Sequence, residues 1–187
     1  MQDHLNLQYW IERVALFDDE QAFEKIFFLF NDDLYRLAYS FTGSKESSEE
    51  IISDTFVNIW KNRTRLVEIE NIRLYLYVAV KNLSIKFVSR NKSAGLINLD
   101  EYLLTNASGS SATPEDLLVS KEVLRLIENA IEELPPRCRL IFRLVRENGL
   151  KYKEVALLLN ISVKTIDAQM AIAARRIAQS VSFKIPK

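Results

Sequence analysis

Among 187 residues there are one histidine, one cysteine, four glycines and four prolines, and each scarcity removes a class of function. Cys138 alone excludes an internal disulfide framework, and with His4 the sole imidazole there is neither a soft-ligand set for a metal nor a Cys-His pair for nucleophilic catalysis. The glycines, at 43, 95, 109 and 149, are too scattered to form a phosphate-cradling loop. No apolar run approaches the roughly 18 residues that span a bilayer. The start, MQDHLNLQYW, carries acid where a secretory signal carries base. These absences point to a cytoplasmic chain that does not insert in a membrane, is not an enzyme and needs no cofactor or metal. Cys138 lies between Arg137 and Arg139, which can lower a thiol pKa and suit it to sense oxidants, but a buried cysteine acting as a small apolar residue is the weightier reading.

What is present is a globular make-up, 48% hydrophobic and 27% charged. Glycines and the prolines at 114, 135, 136 and 186 fall between long segments in which apolar residues recur at three and four positions, as in Ile52, Phe56 and Ile59, or Leu74 and Val78. The chain is therefore all-α. From Ser93 to Pro114 it reads SAGLINLDEYLLTNASGSSATP, rich in small polar residues and without an amphipathic stripe, which marks a flexible linker. Its LINLDEYLL centre is either tether or a short docking segment. Residues 1–92 and 119–187 then form two small helical bundles, joined by the linker of residues 93–118.

Net charge is zero, which alone argues mildly against nucleic acid, but the distribution is uneven. Residues 1–60 hold 4 basic and 12 acidic side chains, 61–92 hold 8 and 2, 93–118 hold none and 4, and 119–187 hold 13 and 7. Two basic segments alternating with two acidic ones suit a polyanion on some faces and a protein partner on others, although solvated helix faces also give patchiness.

In the second bundle, Ser120 can cap a helix running to about Glu133, Pro135-Pro136 suits the first turn of a second closed by Gly149, Tyr152 to Leu159 makes a third, and Val163 to about Ser180 a fourth. Asn160 tolerates the left-handed conformation that ends a helix, and Ser162 caps the next. With Val155, Leu159, Ile161, Ile166, Met170, Ala173 and Ile177 apolar and small Ala156 at the crossing, the last two helices can pack steeply as a helix-turn-helix. Such a crossing leaves Lys164, Thr165, Asp167, Ala168 and Gln169 on an uncovered face whose side chains suit base edges in a major groove. Lys151, Lys153, Arg175 and Arg176 flank it as phosphate contacts, with Ser162 at the helix start. A hairpin that binds nothing would share the pattern.

In the first bundle, AFEKIFFLFNDDLYRLAYSFTG predicts two helices ending near Gly43. A third is opened by Ser47-Ser48-Glu49-Glu50, whose first and fourth residues fit a capping box. Ile51, Ile52, Phe56 and Ile59 form its buried stripe, leaving Ser53, Asp54, Asn58 and Lys61 for a partner or for solvent. The next segment interleaves Arg63, Arg65, Arg73, Lys81, Lys86, Arg90 and Lys92 with Tyr75, Tyr77 and Phe87, as single-stranded or melted DNA requires. Tyr77 and Phe87 share helical spacing with Leu74, Leu83 and Val88 and are assigned to packing. Arg65, Asn71, Arg73, Lys81 and Asn82 remain as contacts.

The stretch LPPRCRLIFRLVRENGLKYKEVALLLNISVKTIDAQMAIAARRI resembles region 4 of bacterial sigma factors of the extracytoplasmic-function group, and is also similar to response-regulator DNA-binding domains. Asp54-x-Phe56-x-x-Ile59-Trp60, Asn71-Ile72-Arg73-x-Tyr75-Leu76 and Lys81-Asn82-Leu83 resemble region 2 of the same group. The resemblance implies that Ser53, Asp54, Asn58, Trp60 and Lys61 face the clamp helices of core RNA polymerase. It implies also that the 65–71 loop captures a flipped minus-ten base, while Arg73, Tyr75, Lys81, Asn82 and Lys86 hold adjoining DNA and the helix-turn-helix reads the minus-thirty-five element. Tyr75 stands where the group often has tryptophan. An anti-sigma factor that clamps the two domains together is a further implied partner. Ala171, Ile172 and Ala174 replace bases that the group usually carries, so the second domain alone is expected to bind promoter DNA weakly. Two other readings fit: a stand-alone helix-turn-helix regulator, dimeric on palindromic sites, and a helical adaptor that binds only proteins.

Overall fold

The computed structural model describes residues 2–91 and 118–184, with side chains within 6–90 and 125–180. The LINLDEYLL segment, nearly all of the expected linker and the His4 side chain lie outside these residues. Eight α-helices and one 3-10 helix are present among the described residues, and no strand. They are α1 (Gln2–Phe17), α2 (Glu20–Thr42), α3 (Lys45–Lys61), the 3-10 helix Arg63–Glu68, α4 (Ile72–Asn91), α5 (Leu118–Glu132), α6 (Pro136–Arg146), α7 (Tyr152–Leu159) and α8 (Val163–Lys184). The chain divides into two compact units, Met1–Ile97 and Asn98–Lys187.

In the first unit, the Asp19 carboxylate accepts from the Ala22 amide at 3.0 Å and starts α2. Gly43, at φ 64°, ends it, its N–H donating to the Tyr39 carbonyl at 2.9 Å. One helix spans the stretch in which two were expected. Asn31, Asp32 and Asp33 do not interrupt it: Phe30 and Leu34 on either side are both fully buried and carry the apolar stripe past them, with Asp32 exposed and Asn31 and Asp33 half-buried. Ser44, not Ser47, caps α3: the Ser47 amide donates to Ser44 Oγ at 3.3 Å. The capping box expected at Ser47 and Glu50 does not form, because the first hydroxyl after Gly43 takes that position. Ser48 is instead fully buried, its hydroxyl 2.8 Å from Thr42 Oγ1 and donating to the Ser44 carbonyl at 2.6 Å. Ile51, Ile52, Phe56 and Ile59 are buried as their spacing implied. Phe56 meets Phe27 at 4.7 Å and Phe23 at 6.0 Å. Tyr77 is fully buried in α4, which pushes its phenol pKa well up, the Asp33 charge adding to the effect of burial. Phe87 is half-buried.

In the second unit, Ser120 lies inside α5, which already runs from Leu118, so the cap assigned to it is corrected. Pro136 opens α6 at a position where a missing N–H costs nothing. At its end Leu150 N–H returns to the Leu144 carbonyl at 3.0 Å, across Gly149 at φ 67°. Glu132, at the end of α5, accepts from both Arg139 and Arg143 of α6 and so fastens the two helices. Leu134, Cys138 and Ala173 are buried together, with Ile131, Phe142 and Ile177 packed against them. Among the described residues no single helix is long and apolar enough to cross a membrane.

Candidate nucleic-acid interface

The turn between α7 and α8 is built from backbone chemistry at Asn160 to Ser162. Asn160 takes φ 55° and ψ 47°, and Ile161 N–H closes back on the Ala156 carbonyl at 3.0 Å, satisfying an otherwise orphan acceptor. Ser162 Oγ then accepts from the Thr165 amide at 3.0 Å, and α8 begins. At the start of α7, Glu154 accepts from the Lys151 amide at 2.7 Å. The chain bends by 109° across this break. Val155, Leu158, Leu159, Ile166, Met170 and Ala173 are buried, and Ala156, 7% exposed, gives the close approach its small side chain allows.

Ser162 just before α8, and Lys164, Asp167 and Ala168 on it, are exposed, and Thr165 and Gln169 half-buried. Thr165 Oγ1 lies 2.8 Å from Ser162 Oγ, so part of its hydrogen-bonding capacity serves the cap. Lys151, Lys153, Arg175 and Arg176 are all exposed. Cys138 is 1% exposed, its Sγ donating to the Gln169 carbonyl at 3.3 Å from behind this face. Burial pushes its thiol up, against the opposing Arg176 charge, so the apolar reading holds over the oxidant sensor. Leu157 and Val163 are exposed apolar side chains beside the turn, which a pattern of polar residues does not single out. Leu157 was detectable because it lies off the stripe set by Val155, Leu158 and Leu159.

In the first unit, Arg65 is exposed on the 3-10 helix, while Leu66 beside it is buried and anchors the segment. Asn71 ends the loop and caps α4, its Oδ1 accepting from the Leu74 amide at 3.0 Å. Arg73 is half-buried, with its guanidinium 5.2 Å from the centroid of the Phe30 ring. Tyr75, Asn82 and Lys86 are exposed and recur at helical spacing on one stripe. Lys81 is half-buried, and burial pulls its ammonium below the ordinary lysine range.

On α3, Ser53, Asp54, Asn58 and Lys61 are exposed on the side away from the buried stripe. Val57, half-exposed among them, is an apolar member of that face that polar patterning passed over. Trp60 differs from its neighbours: it is half-buried, its ring 4.9 Å from Phe23 and 4.8 Å beneath the Arg63 guanidinium.

Residues 29–94 match the family model for sigma-70 region 2, and residues 124–177 match that for sigma-70 region 4. The chain is similar to the ECF RNA polymerase sigma factor SigW of Bacillus subtilis, 28% identical over 81% of this chain and 84% of the relative. It is similar also to the ECF RNA polymerase sigma-E factor of Escherichia coli K12, 22% identical over 97% of each. Two solved structures share the fold at a TM-score of 0.54. One is CnrH in complex with the cytosolic domain of CnrY, 15% identical over 96% of this chain and 99% of that one. The other is the sigma factor RpoE in complex with the anti-sigma factor NepR from Bartonella quintana, 18% identical over 87% and 98%.

Proposed function

The chain belongs to the sigma-70 family, in its extracytoplasmic-function group, and from that premise we propose that it binds core RNA polymerase in the cytoplasm and directs transcription initiation at a promoter read in two places. It is a non-enzymatic initiation factor. What supports this most is that both regions match in order, each on its own helical unit, with an exposed polar face on α8 and an exposed mixed face on α3.

In this reading residues 1–92 carry the polymerase and minus-ten functions, 93–118 the linker and 119–187 the minus-thirty-five function. Ser53, Asp54, Asn58, Trp60 and Lys61 form the polymerase face. Arg65 and Asn71 border the loop that takes a flipped minus-ten base, and Arg73, Tyr75, Lys81, Asn82 and Lys86 hold the adjoining strand. Ser162, Lys164, Thr165, Asp167, Ala168 and Gln169 read the upstream element, with Lys151, Lys153, Arg175 and Arg176 on phosphates. Opening needs no covalent step: unstacked bases regain stacking and hydrogen bonds on the protein. An anti-sigma factor is the regulatory partner, as in the complex of the Bartonella quintana neighbour.

The test is a pull-down with core polymerase followed by transcription from candidate promoters. Retention on polymerase and initiation at asymmetric sites support the reading, whereas a homodimer on palindromes without polymerase would make the chain a stand-alone regulator. Lys81 supplies a finer check. Among the described residues no carboxylate pairs with this half-buried ammonium, and a DNA phosphate would offset its desolvation. Lys81→Ala in the holoenzyme should flatten the slope of log affinity for minus-ten single strands against log salt by about 0.7, the value for one phosphate that is no longer neutralised.

A further inference from the structure

Two aspartates stand in the turn between α1 and α2, and each holds an arginine. Asp19 accepts from Arg13 Nε at 2.9 Å, a pair confined to the corner that it caps. Asp18 reaches much further. It takes φ 53°, a conformation that costs a residue other than glycine, and accepts from Nε of Arg63, 45 positions along the chain. Arg63 opens the 3-10 helix, its Nη1 donates to the Trp60 carbonyl at 3.0 Å, and its guanidinium covers the Trp60 ring that packs on Phe23 of α2. One side chain thereby fastens the α1–α2 turn, the end of α3 and the start of the 3-10 helix.

Two residues beyond Arg63 the exposed loop begins, and its far end is already fixed by Asn71 as the cap of α4. A short 3-10 helix has poor hydrogen bonding of its own and keeps its place only when its surroundings hold it. Leu66 holds it from the core, and Arg63 is its second anchor.

We propose that Asp18, Arg63 and Trp60 form a clasp that positions the 65–71 loop for capture of a melted promoter base. The proposal rests on the functional reading above and adds to it positioning residues outside the assigned DNA contacts. Asp18 bears the wrong charge for a phosphate and acts through Arg63. Presetting the loop removes an ordering cost that would otherwise be subtracted from base capture.

Holoenzyme reconstituted from core polymerase and the full chain tests this, using a fluorescent fork DNA with a single-stranded minus-ten element. Asp18→Gly removes the carboxylate and keeps the left-handed backbone unstrained. It should bind the fork about two- to fivefold more weakly, the range of one exposed charge pair, while affinity for core polymerase falls by less than this and the melting curve shows the first unit still folded at the assay temperature. With an abasic site placed at each minus-ten position in turn, the deficit should vanish at one position, the captured base, and persist at the others. Asp18→Asn, which retains an acceptor, should recover part of the loss. Equal binding by Asp18→Gly and wild type, or a deficit that persists at every abasic position, would overturn the proposal. Failure of the wild-type chain to join polymerase would overturn the functional reading and the clasp with it.

Discussion

Asp54→Arg is expected to weaken association with core RNA polymerase by tenfold or more without unfolding the first unit. Asp54 is exposed on α3, while Ile51, Ile52, Thr55, Phe56 and Ile59 on the opposite side are 4% exposed or less. Substitution therefore leaves the core untouched and changes what a partner meets. Placing a like charge where a complementary one docked costs several kcal/mol at an interface, and about 1.4 kcal/mol is already tenfold in affinity. Glu24→Arg makes the same change of charge on an exposed position of α2 and should have little effect. Titration of labelled chain with core polymerase reads both, with melting curves as the check on folding. Unchanged association for Asp54→Arg would show that the α3 face is not the polymerase surface.

Ile166→Ala should have the largest effect on stability. Ile166 is fully buried in the first turn of α8, four residues after the Ser162 cap, at the end of the helix that follows the turn from α7. Removing a buried isoleucine down to alanine costs about 2–5 kcal/mol, because the cavity that is left only partly collapses. A helical unit of this size holds only about 3–10 kcal/mol in all. The variant should lose most of its second-unit stability and its binding to the upstream element, while pull-down through α3 persists. Leu157→Ala, nine residues earlier at an exposed position, should stay within about 0.5 kcal/mol of wild type. Denaturant unfolding of the full chain separates the two cases. A small effect at Ile166 would mean that the helix-turn-helix crossing is not what holds this unit together.

The helix-turn-helix was almost wholly legible from the chain. α7 has the bounds that periodicity and punctuation implied, Asn160 is left-handed, Ser162 caps α8, and the apolar positions expected at the crossing are buried or half-buried. The buried stripe of α3 and the packing role of Tyr77 were legible for the same reason. Where local reading failed, two positions competed for one role. Ser44 outcompeted Ser47 for the α3 cap, and α2 runs unbroken through a stretch in which two helices were expected.

Periodicity, caps and breakers act within about four residues, the reach of one helical turn. They therefore decide, without any knowledge of the folded molecule, where helices begin and end and which side of each is apolar. Which exposed or charged side chain meets which depends on how helices distant in the chain pack. Trp60 shares a motif with Asp54 yet ends beneath Arg63, Arg73 lies over Phe30 rather than wholly in solvent, and Asp18 finds its arginine 45 residues away. No short-range pattern encodes those pairings, because each exists only after two helices have been brought together by the burial of other residues.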